Sequence, residues 1–189
     1  GRWVIMSYHS GNNLIEPQLL FKKAHMQTGM HVADLGCGRT GHIIFPAAKI
    51  LGETGLVYAV DVIKDFLESV KKRASLEAMH NIQTVWSDLE RLGKTAIPDK
   101  NLDIGFIINV LWHSDKPLDI LEEAKRMLKD KARLVVADWS HIGLPFAPPE
   151  DKLVDFEKIK SWGKVNGFAI QEEFKMGNYH KGIVLYKHD

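Results

Sequence analysis

Short β-branched runs alternate along the chain with longer stretches in which apolar residues recur every three or four positions. This alternation predicts successive βα units and a mostly parallel sheet. A first helix spans Glu16–Met26, with Pro17 tolerated in its opening turn. The run His31–Leu35 reads as a strand, and a glycine-rich turn leads from it into a helix over Gly41–Leu51. Gly52 and Gly55 then punctuate the way into a second strand, Leu56–Asp61. Over residues 63–79, Ile63, Phe66, Leu67, Val70, Ala74 and Leu76 fall on one helical face with lysines opposite. A third strand, Ile82–Trp86, precedes a polar loop reaching Asp99. Leu102–Ile108 is nearly all apolar, as befits a central strand covered on both faces.

The second half continues the pattern with a helix at Pro117–Leu128 and a strand at Arg133–Ala137. Three of the chain's seven prolines crowd into Gly143–Pro149, which predicts a stiff surface loop. A helix over Glu150–Asn166 stops at Gly167, and Phe168–Lys175 and Gly182–Lys187 form a closing antiparallel pair. The result is an α/β fold with seven strands.

With 189 residues, 45% of them hydrophobic, the chain suits one domain over 1–189, with 1–28 as an N-terminal helical lid segment. A domain of this size buries roughly 70% of its unfolded surface, enough for a core without disulfides or metal. The formal charge of +1 gives no electrostatic reason to expect a nucleic acid or an anionic membrane as partner. A single cysteine, Cys37, excludes an internal disulfide and points to a cytoplasmic setting. No apolar run approaches the ~18 residues of a membrane-spanning helix.

The candidate chemistry centres on Val32-Ala33-Asp34-Leu35-Gly36-Cys37-Gly38-Arg39-Thr40-Gly41, where a strand ends, glycines permit a tight turn and a helix begins. Without a Cβ, Gly36 and Gly38 let a ligand approach the backbone closely. Literally, Gly36-x-Gly38-x-x-Gly41 is a dinucleotide fingerprint, and Asp61 ends the second strand twenty residues later, where an acid accepts both hydroxyls of an adenosine ribose. Asp34 stands two residues before Gly36, where a carboxylate repels a pyrophosphate but suits a cationic amino group. Ser87-Asp88 ends the third strand, where an acid can accept from an adenine amino group. About 80 residues follow the fourth strand, too few for the substrate domain of a typical dehydrogenase. Taken singly, the glycines could merely build a turn, and Asp61 and Asp88 could cap local structure. At the ends of three successive strands, they point together to an adenosine ligand.

From Val32 onward the chain resembles class I S-adenosylmethionine-dependent methyltransferases, particularly the group containing ubiquinone/menaquinone-biosynthesis C-methyltransferases. The matching stretches are Val32–Gly38, Val57–Asp61, Trp86-Ser87-Asp88, Leu102-Asp103-Ile104, Asn109–His113 and Leu128–Leu134. The resemblance implies a Rossmann-like three-layer sandwich with strand order 3-2-1-4-5-7-6 and the last strand antiparallel. It implies S-adenosylmethionine as cofactor, with Gly36 and Gly38 approaching its methionine portion; Asp34, by its charge, and Cys37, between the glycines, join the expected cofactor-binding set. Asp61 would take the ribose, Val62 flank the adenine, Asp88 take the adenine amino group with Ser87 beside it in the cofactor-binding set, and Asn109 line the cleft through its backbone. One departure concerns the third glycine: the family places it at the slot Thr40 occupies, and here Gly41 follows one residue later.

The implied reaction is methyl transfer to a small-molecule acceptor. A general base helps where the acceptor is a phenol or an acidic carbon. His113, after the fourth strand, is the first candidate and His141, after the fifth, the second. Tyr8, His9 and His180 are further possibilities. No histidine forms a zinc-type pair, so no metal is expected. Asn109–Trp112 lacks the proline pair of enzymes that methylate exocyclic amino groups, which argues against a nucleic-acid acceptor. Trp112, Trp139, Ile142, Leu144 and Phe146 favour an uncharged or aromatic one. A nicotinamide-dependent oxidoreductase and a non-catalytic cofactor-binding relative remain as alternatives.

Overall fold

A computed structural model describes residues 14–141, 143–145 and 147–188. Among these described residues, five α-helices and seven strands follow one another as α1 (Pro17–Lys23), β1 (His31–Leu35), α2 (Ile44–Leu51), β2 (Leu56–Asp61), α3 (Lys64–Leu76), β3 (Ile82–Trp86), β4 (Leu102–Ile108), α4 (Pro117–Met127), β5 (Leu128–Trp139), α5 (Phe156–Val165), β6 (Phe168–Met176) and β7 (His180–Lys187). The sheet runs β3-β2-β1-β4-β5-β7-β6. Pairs β1–β2, β1–β4, β2–β3 and β4–β5 are parallel, whereas β7 lies antiparallel to both β5 and β6. Both the strand order and the antiparallel last strand agree with expectation.

The alternation of side chains along each strand divides the core in two. On one face, Ala33, Leu35, Val60, Leu134 and Val136 pack with Ile120, Leu121 and Ala124 of α4 and with Ile159 and Trp162 of α5. On the other, Val32, Ala59, Phe106 and Val135 pack with Leu20 and Phe21 of α1, Ile44 and Phe45 of α2, and Leu67 and Val70 of α3. The chain therefore switches faces between β1 and β4. In open α/β sheets such a switch opens a crevice at the carboxyl ends of the strands.

The first four strands have the bounds read from the sequence; the helices differ at their ends, for identifiable reasons. Glu16 caps α1 by accepting from the Gln18 N–H rather than joining it, and His25, at φ +54°, lies beyond its end. The described part of the expected lid segment, α1, buries Leu20 and Phe21 in the core, with the Phe21 ring 5.8 Å from that of Phe106. Gly41 adopts φ +60°, so α2 starts three residues later than expected. The last helix begins at Phe156, where the Asp155 carboxylate accepts from the Glu157 and Lys158 N–H groups; Glu150–Lys152 forms a separate 3-10 turn. Helix α4 runs straight into β5, whose Leu128 pairs with Leu102 before the register jumps to Ile104–Arg133. Buried Lys187 steadies this junction by donating to the carbonyls of Lys125 and Leu128.

A buried ion pair holds the long connection after β3. The Glu123 carboxylate on α4 accepts from the Gly93 and Thr95 N–H groups, both at 2.9 Å, and from Arg126 Nε at 2.7 Å. Arg126 also donates to the Ile97 and Thr95 carbonyls and to Asp99. Burial by itself would raise the Glu123 pKa, but these donors overcome it and hold the carboxyl at about 2. Removing one partner of a buried pair leaves the other charge uncompensated. Glu123→Ala should therefore destabilise the fold by about 3 kcal/mol in urea unfolding at pH 7. Because the folded pKa lies below the ordinary value of 4.5, this contribution is complete above that pH and is lost as pH falls toward 2. Glu123→Gln should flatten that part of the acid-unfolding curve.

Candidate functional site

The turn after β1 is shaped by backbone geometry that glycine alone adopts freely. Gly36 and Gly38 sit at φ +97° and +73°, and the N–H groups of Gly36 and Cys37 both donate to the Val60 carbonyl, at 2.8 and 2.9 Å. A Cβ on Gly36 would stand 2.4 Å from Val110 Cγ2. At Gly41 the constraint comes from the core, since a Cβ there would meet the Phe45 ring at 2.8 Å. This third glycine admits a core phenyl ring and does not line the cavity described below.

Asp61 fastens this turn to the next one. Its Oδ2 accepts from the Gly38 N–H at 3.1 Å and its Oδ1 from the Ile63 N–H at 3.0 Å. Each oxygen retains a lone pair for a ligand hydroxyl. The expectation of a local capping role and that of a ligand contact thus coincide in one side chain.

A cavity of about 360 Å³ opens above the strand ends at the switch point. Gly36, Gly38, Asp61, Val62, Ser87, Asp88, Asn109 and His113 all line it. Apolar wall comes from Phe66, Leu89, Val110 and Ile120. Val62 is held by its carbonyl, which accepts from Trp86 Nε1 at 2.8 Å. Ser87 is buried and bonded to Thr95 Oγ1 at 2.7 Å, while the Asp88 carboxylate accepts from the Glu90 N–H and pairs with Arg91. Asn109 adopts φ +57°, a left-handed conformation that asparagine tolerates better than most residues, and its N–H donates to Ala137.

Asp34 and Cys37, expected in the cofactor-binding set, are not part of that lining. Asp34 is 2% exposed, and its Oδ1 has no hydrogen-bond partner among the described residues. Burial first, and the charge of Asp61 second, push its carboxyl well above the usual range. Cys37 is buried in the core beside the turn, where desolvation and then the charges of Asp34 and Asp61 raise its thiol pKa. It is no nucleophile.

The two candidate bases part company. His113 stands at the cavity rim on a 3-10 turn, Leu111–His113, and its pKa is lowered chiefly by desolvation, so the ring is neutral at pH 7. His141 is exposed, paired with Ser140 Oγ at 2.9 Å, and does not line the cavity. His180 is buried against Trp139, ring centroids 4.3 Å apart, and burial lowers its pKa to about 4. Trp139 is likewise buried, and Trp112 lines a separate hollow of about 520 Å³ beyond the 3-10 turn, which none of the expected cofactor residues reach. Tyr8, His9, Ile142 and Phe146 lie outside the described residues.

Sequence reasoning missed Asp138. Fully buried at the end of β5, it accepts from the Leu111 and Trp112 N–H groups through Oδ2 and from Trp139 N–H through Oδ1. The signal that could have found it was an acid closing an otherwise apolar strand, Leu134–Ala137.

The residues fit an adenosine-bearing cofactor with a cationic amino-acid tail. Two carboxylates stand at the ends of β2 and β3, a glycine turn leaves room that a Cβ would fill, and a buried acid nearby has an oxygen without a donor among the described residues.

Residues 26–182 match a family model described as a methyltransferase domain. The chain is 35% identical over 130 residues to aklanonic acid methyltransferase of Streptomyces sp. strain C5, a match covering 65% of this chain and 55% of that protein. It is 28% identical over 145 residues to demethylmenaquinone methyltransferase of Lactococcus lactis subsp. lactis strain IL1403, covering 77% and 56%. The chain thus spans about half the length of the curated relatives it matches. A SAM dependent methyltransferase from Aquifex aeolicus shares the fold with a TM-score of 0.81, at 24% identity over 92% of this chain and 90% of that one. The chain belongs to the methyltransferase domain family, class I, with the Rossmann-like sandwich.

Gly36→Ala tests the turn. Both the positive φ and the approach to Val110 oppose a methyl group, so the variant should lose about 2–4 kcal/mol of stability, read as a lowered urea midpoint.

Proposed function

We propose that this chain binds S-adenosylmethionine in the 360 Å³ cavity and transfers its methyl group to a small, uncharged or aromatic acceptor. The observation that carries this reading is the convergence of Gly36, Gly38, Asp61, Asp88 and Asn109 on one cavity at the β1/β4 switch point. When bound, the cofactor would supply an activated methyl group on a sulfonium, a good leaving group toward an acceptor lone pair. Asp61 holds the ribose hydroxyls, Asp88 accepts from the adenine amino group, and the turn at Gly36 and Gly38 admits the methionine portion. Asp34, buried outside the lining, would answer the cationic amino group through water. His113, neutral at the rim, takes the acceptor's proton.

The relatives named for aklanonic acid and demethylmenaquinone support an aromatic or quinone-like acceptor, and the near-zero net charge speaks against nucleic acid. Among the described residues no helix is long and apolar enough to cross a membrane. The lone cysteine, buried, supports a cytoplasmic setting. The glycine spacing also suits a nicotinamide cofactor, but a carboxylate at Asp34, two residues before Gly36, would repel a diphosphate, and about 80 residues after the fourth strand leave little for a substrate domain.

Calorimetric titration separates the readings: S-adenosylhomocysteine should bind and NADH should not, and selective NADH binding would overturn the proposal. Asp61→Ala should weaken S-adenosylhomocysteine about tenfold or more, through lost hydroxyl contacts and a loosened glycine turn. For turnover, a labelled-methyl assay against a panel of phenols and quinols identifies an acceptor. With that acceptor, His113→Ala should lower kcat about 10²-fold or more while changing S-adenosylhomocysteine affinity far less. Equal loss of both would remove His113 from the role of base.

A further inference from the structure

Between the two hollows stands a thin partition, the 3-10 turn Leu111–His113. Leu111 and Trp112 face the 520 Å³ hollow, Val110 and His113 face the 360 Å³ cavity, and Ser114 borders both. The turn's own bonding is slight: His113 N–H donates to the Val110 carbonyl at 3.3 Å and Ser114 N–H to that of Leu111 at 3.2 Å. Its first two N–H groups point instead to Asp138, at 3.1 and 3.4 Å. Val110 is also the residue whose methyl lies against Gly36, so a shift of this turn moves the wall facing the glycine turn.

Resting on the cofactor reading above, we propose that Asp138 is the positioning residue of this cavity: by accepting the Leu111 and Trp112 N–H groups it fixes the turn that sets Val110 and His113 into the wall. An ordinary buried polar network would use a neutral acceptor here, since burying a carboxylate costs far more than burying an amide. The carboxylate is favoured because its two oxygens reach three donors on two different elements. Its role is therefore sensitive to protonation. Burial raises the Asp138 pKa to about 7, against the lowering effect of the Trp139, Trp112 and Leu111 N–H groups. Above that pH both oxygens accept; below it one becomes a hydroxyl donor, and the turn loses part of its anchor.

Other titratable groups surround the turn. His113 lies on it, Glu90 accepts from Ser114 Oγ, Lys181 pairs with Asp138 in the β5–β7 register and is engaged with Glu173, His180 pairs with and stacks on Trp139, and His141 follows the end of β5 with its N–H bonded to the Tyr179 carbonyl. A variant of Asp138 separates its contribution from theirs.

The test uses the full chain and S-adenosylhomocysteine, titrated calorimetrically between pH 6 and pH 8. If only the ionised form holds the wall, apparent affinity scales with the ionised fraction, so binding at pH 6 should be about tenfold weaker than at pH 8. In Asp138→Asn the affinity at pH 8 should fall toward the wild-type level at pH 6, and the slope over this range should shrink to the part contributed by Asp34 and His113. A variant that keeps wild-type affinity at pH 8, or keeps the wild-type slope, overturns the proposal. Should Asp138→Asn fail to fold, amide hydrogen exchange of the wild type decides the same point. Protection of the Leu111 and Trp112 N–H groups, corrected for intrinsic rates, should drop as pH falls through about 7; unchanged protection overturns the proposal. Wild type that binds no S-adenosylhomocysteine at either pH defeats the cofactor reading itself, while the exchange experiment still reports on Asp138.

Discussion

The site depends on one carboxylate that joins two turns. Asp61 ends β2, accepts from Gly38 in the turn after β1 and from Ile63 in the turn after β2, and so fixes the spacing of adjacent strand ends. The Gly36 and Cys37 N–H groups add a second tie, to the Val60 carbonyl. The positive φ angles of Gly36 and Gly38 make the turn possible; the Asp61 bonds make it specific. The same side chain lines the cavity.

The remaining walls are held by the same device, a buried acid gathering backbone N–H groups. Glu123 on α4 fastens the connection that carries Ser87 to Glu90, with Arg126 neutralising it. Asp138 on β5 fastens the turn that carries His113, its bonds drawn from backbone amides. The difference in partners accounts for their opposite pKa directions: Arg126 and the amides outweigh burial at Glu123, whereas amides alone do not at Asp138. Burying a charge is costly unless it is paired, and backbone amides compensate only in part. Asp34 is the extreme case, buried with an oxygen that lacks any donor among the described residues. A cationic ligand group near it would relieve what the protein leaves unsatisfied.

Much of this was legible in the residue pattern. The four strands β1 to β4 have the bounds read from the sequence: β4, buried almost throughout, is a continuous apolar run, and edge strand β3 stands out by its β-branched and aromatic residues. Gly36, Gly38, Asp61, Val62, Ser87, Asp88, Asn109 and His113 line one cavity because each follows a parallel strand, and parallel strands present their carboxyl ends on a common edge. Less legible were the helix ends, where capping by Glu16 moved one start by a single residue and capping by Asp155 moved another by six. Hidden altogether was the junction of α4 with β5, since Lys129, Asp130 and Lys131 resemble a loop yet fall within a strand whose register jumps.

Sequence by itself determined the fold class, the site's place at the strand ends and the chemistry of its acids, because periodicity and residue type act locally and repeat along the chain. Tertiary structure alone decided which groups share a wall. It brought His113 to the cavity and left His141 on the surface, and it buried Asp34 and Cys37 out of the lining. It also recruited Asp138 and Glu123, 27 and 30 residues distant from the N–H groups of Leu111 and Gly93 that they hold. Such partnerships depend on how faces pack across the sheet and on the cost of leaving a buried N–H or carboxylate unmet, and neither is encoded at any single position.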